Sequence, residues 1–423
     1  MRKHFIVRDC LMEQLGQMDS AQVILSFKDR QVTVGELIDD INSLRMALYN
    51  HGWEGKTIAA IAQPTYEYIA LVLAVVCSKM TLLPLYDGWT MEEKESYIKK
   101  GSAIICYEED EKIADLLEEG RRLKETGQRF ELNDDVLPTD VSMLLFTSGT
   151  TGEAKAVQFM QKAWQPYMEQ IGELGWNLSS IGPQLIALPL FHLYGLALLL
   201  AFLSAKIPVV ISAGLRYFIA ELEALKPTTI FLVPGQVSLL YKMMVDGDDG
   251  NKGELRFGYL KRVFFSGASL SKEIAERFKS LGICICSAYS MTETSGIAID
   301  PPEVLDPKPG SSGRIMPCAR DYVRINEPDQ NGYGELLVSK DYVGIFKGYL
   351  DDPKGTAEIL YDGWLHTGDV ARIDEDGDLF IIGRIKNTII LSNGENVSPE
   401  KLERKVMELG GVRECLVYEE DDR

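Results

Sequence analysis

Short, continuous apolar runs recur along the chain up to residue 289. Among them are VILSF (23–27), TIAAIA (57–62), TLLPLY (81–86), AIICYE (103–108) and MLLFT (143–147). QLIALPL (184–190), PVVISA (208–213), TTIFLVP (228–234), RVFFSG (262–267) and ICICSAY (283–289) continue the series. Runs of this kind suit strands buried on both faces, and the segments between them are long enough for crossover helices. Residues 218–225 and 272–281 carry apolar positions at helical spacing instead. The pattern predicts an α/β architecture with largely parallel sheets. No repeat of fixed period is visible.

The pattern breaks twice. Residues 120–139 are polar and charged, which predicts a surface connection ahead of MLLFT. PPEVLDPKPGSSGR (301–314) reads as a loop from its prolines, glycines and serines. Beyond it DYVRI, GELLVS and DLFIIG are short strand-like runs separated by turns, predicting a small antiparallel or barrel-like subdomain. SPEKLERKVMELGG (398–411) then has a good helix start in Ser398, Pro399 and Glu400 and a stop at Gly410.

A length of 423 residues suits two or three domains or subdomains rather than one core. Hydrophobic residues at 46% and charged residues at 25% fit a soluble globular chain. The net charge of −19 argues against nucleic acid or an anionic membrane as partner. It leaves room for a polyphosphate held by backbone N–H groups and a few cations. The seven cysteines lie mostly in apolar runs, and Cys284 and Cys286 are the one close pair. With no second pair or nearby histidine to complete a zinc site, they read as buried, reduced thiols of a reducing compartment. The first 17 residues lack the apolar core of a signal peptide. Lys206 interrupts the apolar residues 195–205 well short of the ~20 needed for a membrane span. A cytoplasmic location is the expectation.

The candidate chemistry starts at LLFTSGTTGEAKAVQ (144–158). Thr147, Ser148, Thr150 and Thr151 supply four hydroxyls, Gly149 and Gly152 let backbone approach a ligand, and Lys155 adds a cation. Composition favours a phosphate cradle over a surface turn. The kinase and GTPase loop requires adjacent Gly-Lys-Ser/Thr, whereas Lys155 lies between Ala154 and Ala156. FTSGTTGEAK (146–155) resembles the signature of the adenylate-forming enzymes, which include acyl-CoA synthetases, peptide-synthetase adenylation domains and luciferases. Ala154 and Ala156 stand where that family usually has Pro and Gly, which stiffens or reshapes the loop exit. Further motifs follow in the family's order: FFSGAS (264–269), AYSMTET (288–294, with Ser290 in place of Gly), GWLHTGD (363–369), GRIKN (383–387) and LSNGENVSPEKLE (391–403).

The resemblance implies a fold of class α/β. It consists of a large domain over 1–385, with two stacked, mostly parallel sheets and a barrel-like subdomain at about 311–385. Residues 386–423 would then begin a mobile C-terminal α+β domain, left incomplete. It also implies ATP-dependent conversion of a carboxylic acid to acyl-AMP with release of pyrophosphate, then thioester formation with CoA or the phosphopantetheine thiol of an acyl carrier protein. In that scheme residues 147–152 and Lys155 cradle phosphate, and Ser266, Gly267 and Ala268 edge the adenine. Tyr289 offers the adenine a flat face beside Ser290, Thr292 donates to a phosphate oxygen and Glu293 ligates Mg2+. Asp369 accepts the ribose hydroxyls, Arg384 donates to the ribose or phosphate, and Lys386 is the hinge. The implied arrangement has the turn of 147–155, residues 289–293 and Asp369 converge on one adenine nucleotide.

LPLFHLYGLALLL (188–200) places His192 between aromatics, either lining an acyl pocket or packed as a capping histidine. No aspartate stands there to hold an α-amino group, as it would in the amino-acid-activating branch. FHLYG and TIILSNGENV resemble the acyl- and aryl-CoA ligases, with a fatty acid as first expectation and an aryl acid second. The family's late lysine, in a Pro-Lys-Thr-x-x-Gly-Lys-like stretch, is not found, and the last lysine is Lys405. Two readings follow: part of a longer chain, or a naturally short form that binds nucleotide or acyl-adenylate with an impaired first step. An oligomer is compatible with either.

Overall fold

Two compact units assemble from interleaved stretches of the chain: unit 1 from Met1–Pro227, Met291–Ser295 and Val343–Thr356, and unit 2 from Thr228–Ser290, Gly296–Tyr342 and Ala357–Arg423. The computed structural model describes residues 4–126, 135–147, 154–173, 182–246, 257–266, 272–301 and 304–387. Beyond these it describes 389–390, 396–397, 399, 402–403, 406, 412 and 415–418.

The strands of unit 1 are β1 (Val23–Phe27), β2 (Arg30–Thr33), β3 (Thr57–Ile61), β4 (Thr81–Leu85), β5 (Ala103–Tyr107), β6 (Val141–Thr147), β7 (Lys155–Met160), β8 (Gln184–Ile186) and β9 (Val209–Ile211). Its helices are α1 (Val7–Leu15), α2 (Val34–Asn50), α3 (Tyr66–Val76), α4 (Met91–Lys100), α5 (Asp110–Glu125), α6 (Gln165–Glu173), α7 (Leu193–Ser204) and α8 (Phe218–Leu225). One sheet runs β5-β3-β4-β6-β7, parallel except where β7 folds back antiparallel on β6. A second runs β2-β1-β9-β8 with only β2 antiparallel. The apolar runs explain the parallel core, because Ile58, Ala59, Ala60, Leu82, Leu83 and Met143 are fully shielded from solvent. Helix α3 is apolar on every face and buries all but Glu67, with the Thr65 hydroxyl accepting the Tyr68 N–H at its start.

Residues 120–125, expected as connection, are instead the last turns of α5. The charged surface hides a stripe of Ile113, Leu116, Leu117 and Gly120, spaced three or four apart and buried. Gly120 lets α5 touch α2: a β-carbon there would lie 1.9 Å from the Ser43 carbonyl oxygen.

Unit 2 contains β10 (Thr229–Leu232), β11 (Arg262–Phe265), β12 (Cys284–Met291), β13 (Ser295–Ile299) and β14 (Arg314–Ile315) as one sheet in that order, with helices α9 (Pro234–Asp246) and α10 (Lys272–Ser280). Strands β10, β11 and β12 are parallel, and β14 is antiparallel to β13. The antiparallel subdomain is β15 (Val323–Asn326), β16 (Gly334–Ser339), β17 (Leu360–Tyr361), β18 (Trp364–Ile373) and β19 (Leu379–Arg384), ordered β15-β16-β18-β17 with β19 on β18. The α/β class with largely parallel sheets and a small antiparallel subdomain is therefore what the chain adopts. Helix α11 (Pro353–Ile359) begins within the last stretch of unit 1. Within the helix expected at 398–411, the described Leu402, Glu403 and Val406 are helical. Among the described residues, no helix is long and apolar enough to cross a membrane.

Candidate active site

In unit 2 the geometry is set by an irregularity in β18. Strand β16 pairs Glu335 with Val370 but Leu337 with His366, so β18 carries extra residues between those pairs. The bulge holds Thr367, Gly368 and Asp369, and Gly368 takes a φ of 71°, the left-handed region that a glycine accepts without strain. Glu335 ties the bulge down, accepting the Gly368 N–H at 3.0 Å through Oε1 and pairing through Oε2 with His366 Nδ1 at 2.8 Å. The Thr367 hydroxyl accepts the Asp369 N–H at 3.1 Å and donates to the Leu336 carbonyl.

The Asp369 carboxylate is 3% exposed and held from both sides. Arg384 is its cross-strand partner on β19, with Nε 2.7 Å from Oδ1, and a second guanidinium nitrogen donates to the Thr367 carbonyl at 3.1 Å. Tyr289, near the end of β12, donates its hydroxyl to Oδ2 at 2.5 Å. Burial, and then the neighbouring Asp369 charge, push the Tyr289 phenol well above its ordinary pKa, so it stays a donor. Tyr289 and Arg384 thus fix the orientation of the carboxylate. Ser290 is half-buried in β12, and the buried Ser266 follows β11.

In unit 1 β6 and β7 flank the glycine–hydroxyl segment, with Thr147 opposite Lys155 in register. Ser148, Gly149, Thr150, Thr151 and Gly152 lie outside the described residues, as do Gly267 and Ala268 of unit 2. Lys155 opens β7. Its ammonium stands 4.7 Å from the centroid of the Tyr349 ring and 3.9 Å from Asp352 Oδ2. Tyr349 reaches this place because its segment pairs with β7: Gly348 O accepts the Gln158 N–H, and Leu350 N donates to Ala156 O. The Tyr349 hydroxyl donates to Glu293 Oε1 at 2.8 Å, and Glu293 is buried. Gly355 completes the wall, since a β-carbon there would lie 2.1 Å from Asp352 Oδ2 and 2.9 Å from Lys155 Nζ. Thr292 is half-buried beside Glu293 in sequence.

A row of aromatic rings extends from the end of β6. Phe146 meets Tyr97 at 4.3 Å between centroids, Tyr97 meets Trp89 at 4.4 Å, and Phe191 lies 6.2 Å from Trp89 and stacks on Tyr86 at 4.5 Å. His192 adjoins Phe191 and sits immediately before α7, where its side chain forms no cap bond. Partial burial lowers its pKa, which favours the neutral ring.

A model of the family described as AMP-binding enzyme matches residues 13–350. The chain belongs to the AMP-binding enzyme family. A probable CoA ligase of Humulus lupulus is 28% identical over 416 residues, covering 90% of this chain and 77% of that protein. A 2-succinylbenzoate–CoA ligase of Geobacillus sp. is 29% identical over 412 residues, covering 92% and 80%. The structure of O-succinylbenzoate coenzyme A synthetase from Bacillus subtilis in complex with AMP superposes with a TM-score of 0.80 at 22% identity, covering 98% of this chain and 86% of that one. The family read from the ordered motifs is therefore the family of the chain, and the shared fold extends beyond the matched region.

Within this AMP-binding enzyme the structure brings Tyr289, Asp369 and Arg384 together in unit 2, and Lys155 and Glu293 around Tyr349 in unit 1. Lys386 is exposed in a short turn, Ile385–Asn387, that follows β19. Sequence reading missed Tyr349, Asp352, Glu335 and the aromatic row. KGYLDDP (347–353) carried the one available signal, an aromatic and two acids beside a turn. Among the described residues, one group of acids is arranged to hold a cation: Asp374, Asp376 and Asp378. The Lys308 ammonium already sits 2.6–2.9 Å from all three, so this group reads as a lysine-filled staple.

Proposed function

We propose that this chain is an AMP-forming acid–thiol ligase that activates a carboxylic acid with ATP and passes the acyl group to CoA. The observation that carries the reading is Asp369, a buried carboxylate fixed in orientation by Tyr289 and Arg384. A carboxylate held this way suits the two hydroxyls of a vicinal diol such as a ribose edge. In unit 1, Lys155 offers a cation suited to phosphate oxygens. Its ammonium rests on an aromatic face with Asp352 at 3.9 Å, a long contact that a polyphosphate can replace.

Joining two anions is the chemical problem, because a carboxylate oxygen must attack the α-phosphate while pyrophosphate leaves. Lys155 and the Thr292 hydroxyl would offset charge on the phosphate oxygens. The Glu293 carboxylate suits Mg2+, which binds through one or two carboxylates together with phosphate oxygens and water. Tyr349 engages Oε1 of Glu293 and so fixes the carboxylate's orientation. When bound, the ion would supply further neutralisation of phosphate charge.

For the acid, the aromatic row supports an aryl carboxylate ahead of a fatty acid, because aromatic rings pack offset-stacked or edge to face with a flat substrate. The 2-succinylbenzoate ligase among the relatives accords with that choice. The test is a panel of aromatic, long-chain and short dicarboxylic acids incubated with ATP, Mg2+ and CoA, with AMP read by chromatography. Aromatic acids should give the most AMP, and Trp89→Ala should reduce their use several-fold. Turnover with long-chain acids alone would reverse the acid class. Nucleotide binding without turnover on any acid would favour the binding-protein reading.

A further inference from the structure

Cys284 and Cys286 are alternate residues of β12, so both side chains project from one face of the strand. Their sulfurs are 3.4 Å apart. Cys284 is half-buried and reachable, whereas Cys286 is buried. Nothing in the proposed ligase chemistry uses either thiol.

The surroundings divide the pair into a nucleophile and a reserve. The hydrogen bond between the two thiols lowers the pKa of Cys284 and raises that of the more deeply buried Cys286. Arg262, the parallel cross-strand partner of Cys284 on β11, adds positive potential at the same thiol. Asp300 and Asp306 oppose that effect, and burial does so too, without reversing it. The Val304 carbonyl, 3.7 Å from the Cys284 sulfur, is the other polar contact.

We propose that Cys284 and Cys286 are a redox site: a low-molecular-weight disulfide such as oxidised glutathione converts them to an intrastrand disulfide that weakens the nucleotide site. The Cys284 thiolate attacks one sulfur of the oxidant, forming a mixed disulfide and releasing one thiolate. Cys286 then gives up its proton and attacks the Cys284 sulfur, expelling the second thiolate. Two protein thiols are oxidised and one disulfide is reduced to two thiols.

Geometry makes the bond reversible. Two residues of extended strand span about 6.6–6.8 Å between α-carbons, the upper edge of what a disulfide accepts. Such a bond is strained and easily reduced, as regulatory disulfides are. Drawing the sulfurs from 3.4 Å to about 2 Å must pucker β12. Tyr289 lies on that strand three residues beyond Cys286 and holds Asp369. The consequence for the nucleotide rests on the proposed function; the disulfide itself does not.

The test treats reduced wild-type protein, Cys284→Ser and Cys286→Ser with oxidised glutathione. Intact mass with peptide mapping is read first, then ATP affinity by calorimetry before and after dithiothreitol. The wild type should lose two hydrogens within the peptide holding both cysteines and bind ATP roughly tenfold more weakly, with dithiothreitol restoring both. Cys286→Ser should stop at one glutathione on residue 284, and Cys284→Ser should show neither change. Modification confined to other cysteines, or equal in wild type and Cys284→Ser, overturns the site. A mapped disulfide with unchanged ATP affinity overturns the control of the nucleotide site. Failure of the reduced wild type to bind ATP at all counts against the proposed function, while the mapping still judges the disulfide.

Discussion

Replacing Asp369 with Asn keeps the shape of the side chain and removes its charge. Hydrogen bonds to a charged acceptor contribute roughly twice as much as neutral ones, so each ribose hydroxyl loses about 1–1.5 kcal/mol. Two such bonds predict ATP binding weaker by about 2–3 kcal/mol, or roughly 30- to 150-fold. The fold should tolerate the change. The Tyr289 hydroxyl can still donate to the amide oxygen, and the Arg384 side chain is 43% exposed, which reduces its ion pair to about 0–1 kcal/mol. Calorimetry with ATP and AMP is the assay, paired with a thermal melt as a control for folding. Both nucleotides share the ribose and should lose affinity alike. Unchanged affinity in an intact Asp369→Asn protein refutes the role given to this carboxylate. Loss for ATP but not AMP refutes it as well, because it would place the residue at the phosphates.

Other residues carry separate expectations. Tyr349→Phe removes the hydroxyl that orients Glu293, so Mg2+ titrations of the adenylation rate should shift several-fold to higher concentration with little change in KM for the acid; an unshifted titration contradicts the pairing. Gly120→Ala forces α5 away from the Ser43 carbonyl and should cost about 1–3 kcal/mol in urea unfolding, despite the better helix propensity of Ala. Burial pushes the Asp300 carboxyl up to about 6, above its unfolded value. The native state then binds the proton more tightly, and its advantage is lost as pH rises from about 4 to about 6. Asp300→Asn should therefore gain about 2–3 kcal/mol relative to wild type across that window, and parallel stability–pH curves would contradict the assignment.

The legibility of this molecule follows burial. Strands such as β3 and β4 were visible because buried parallel strands leave unbroken apolar runs, and α8 because its apolar spacing is helical. The end of α5 was not, since its four buried positions are outnumbered by charges facing water. Asp369 and Arg384 could be named from motifs, but the bulge that aims Asp369 depends on Glu335, a residue that reads as ordinary strand. Tyr349 and Asp352 gather around Lys155 through backbone pairing between segments almost two hundred residues apart in sequence, which no local pattern records. Each member of the aromatic row reads alone as an ordinary apolar ring, and their succession from Phe146 to Phe191 appears only in the fold.

Acid-dependent exchange of labelled pyrophosphate into ATP, measured without CoA, tests the claim that this chain makes an acyl-adenylate. Exchange should require both Mg2+ and an aromatic acid and fall sharply in Asp369→Asn. Exchange that proceeds without any acid, or none with any acid in a protein that binds ATP, would contradict it.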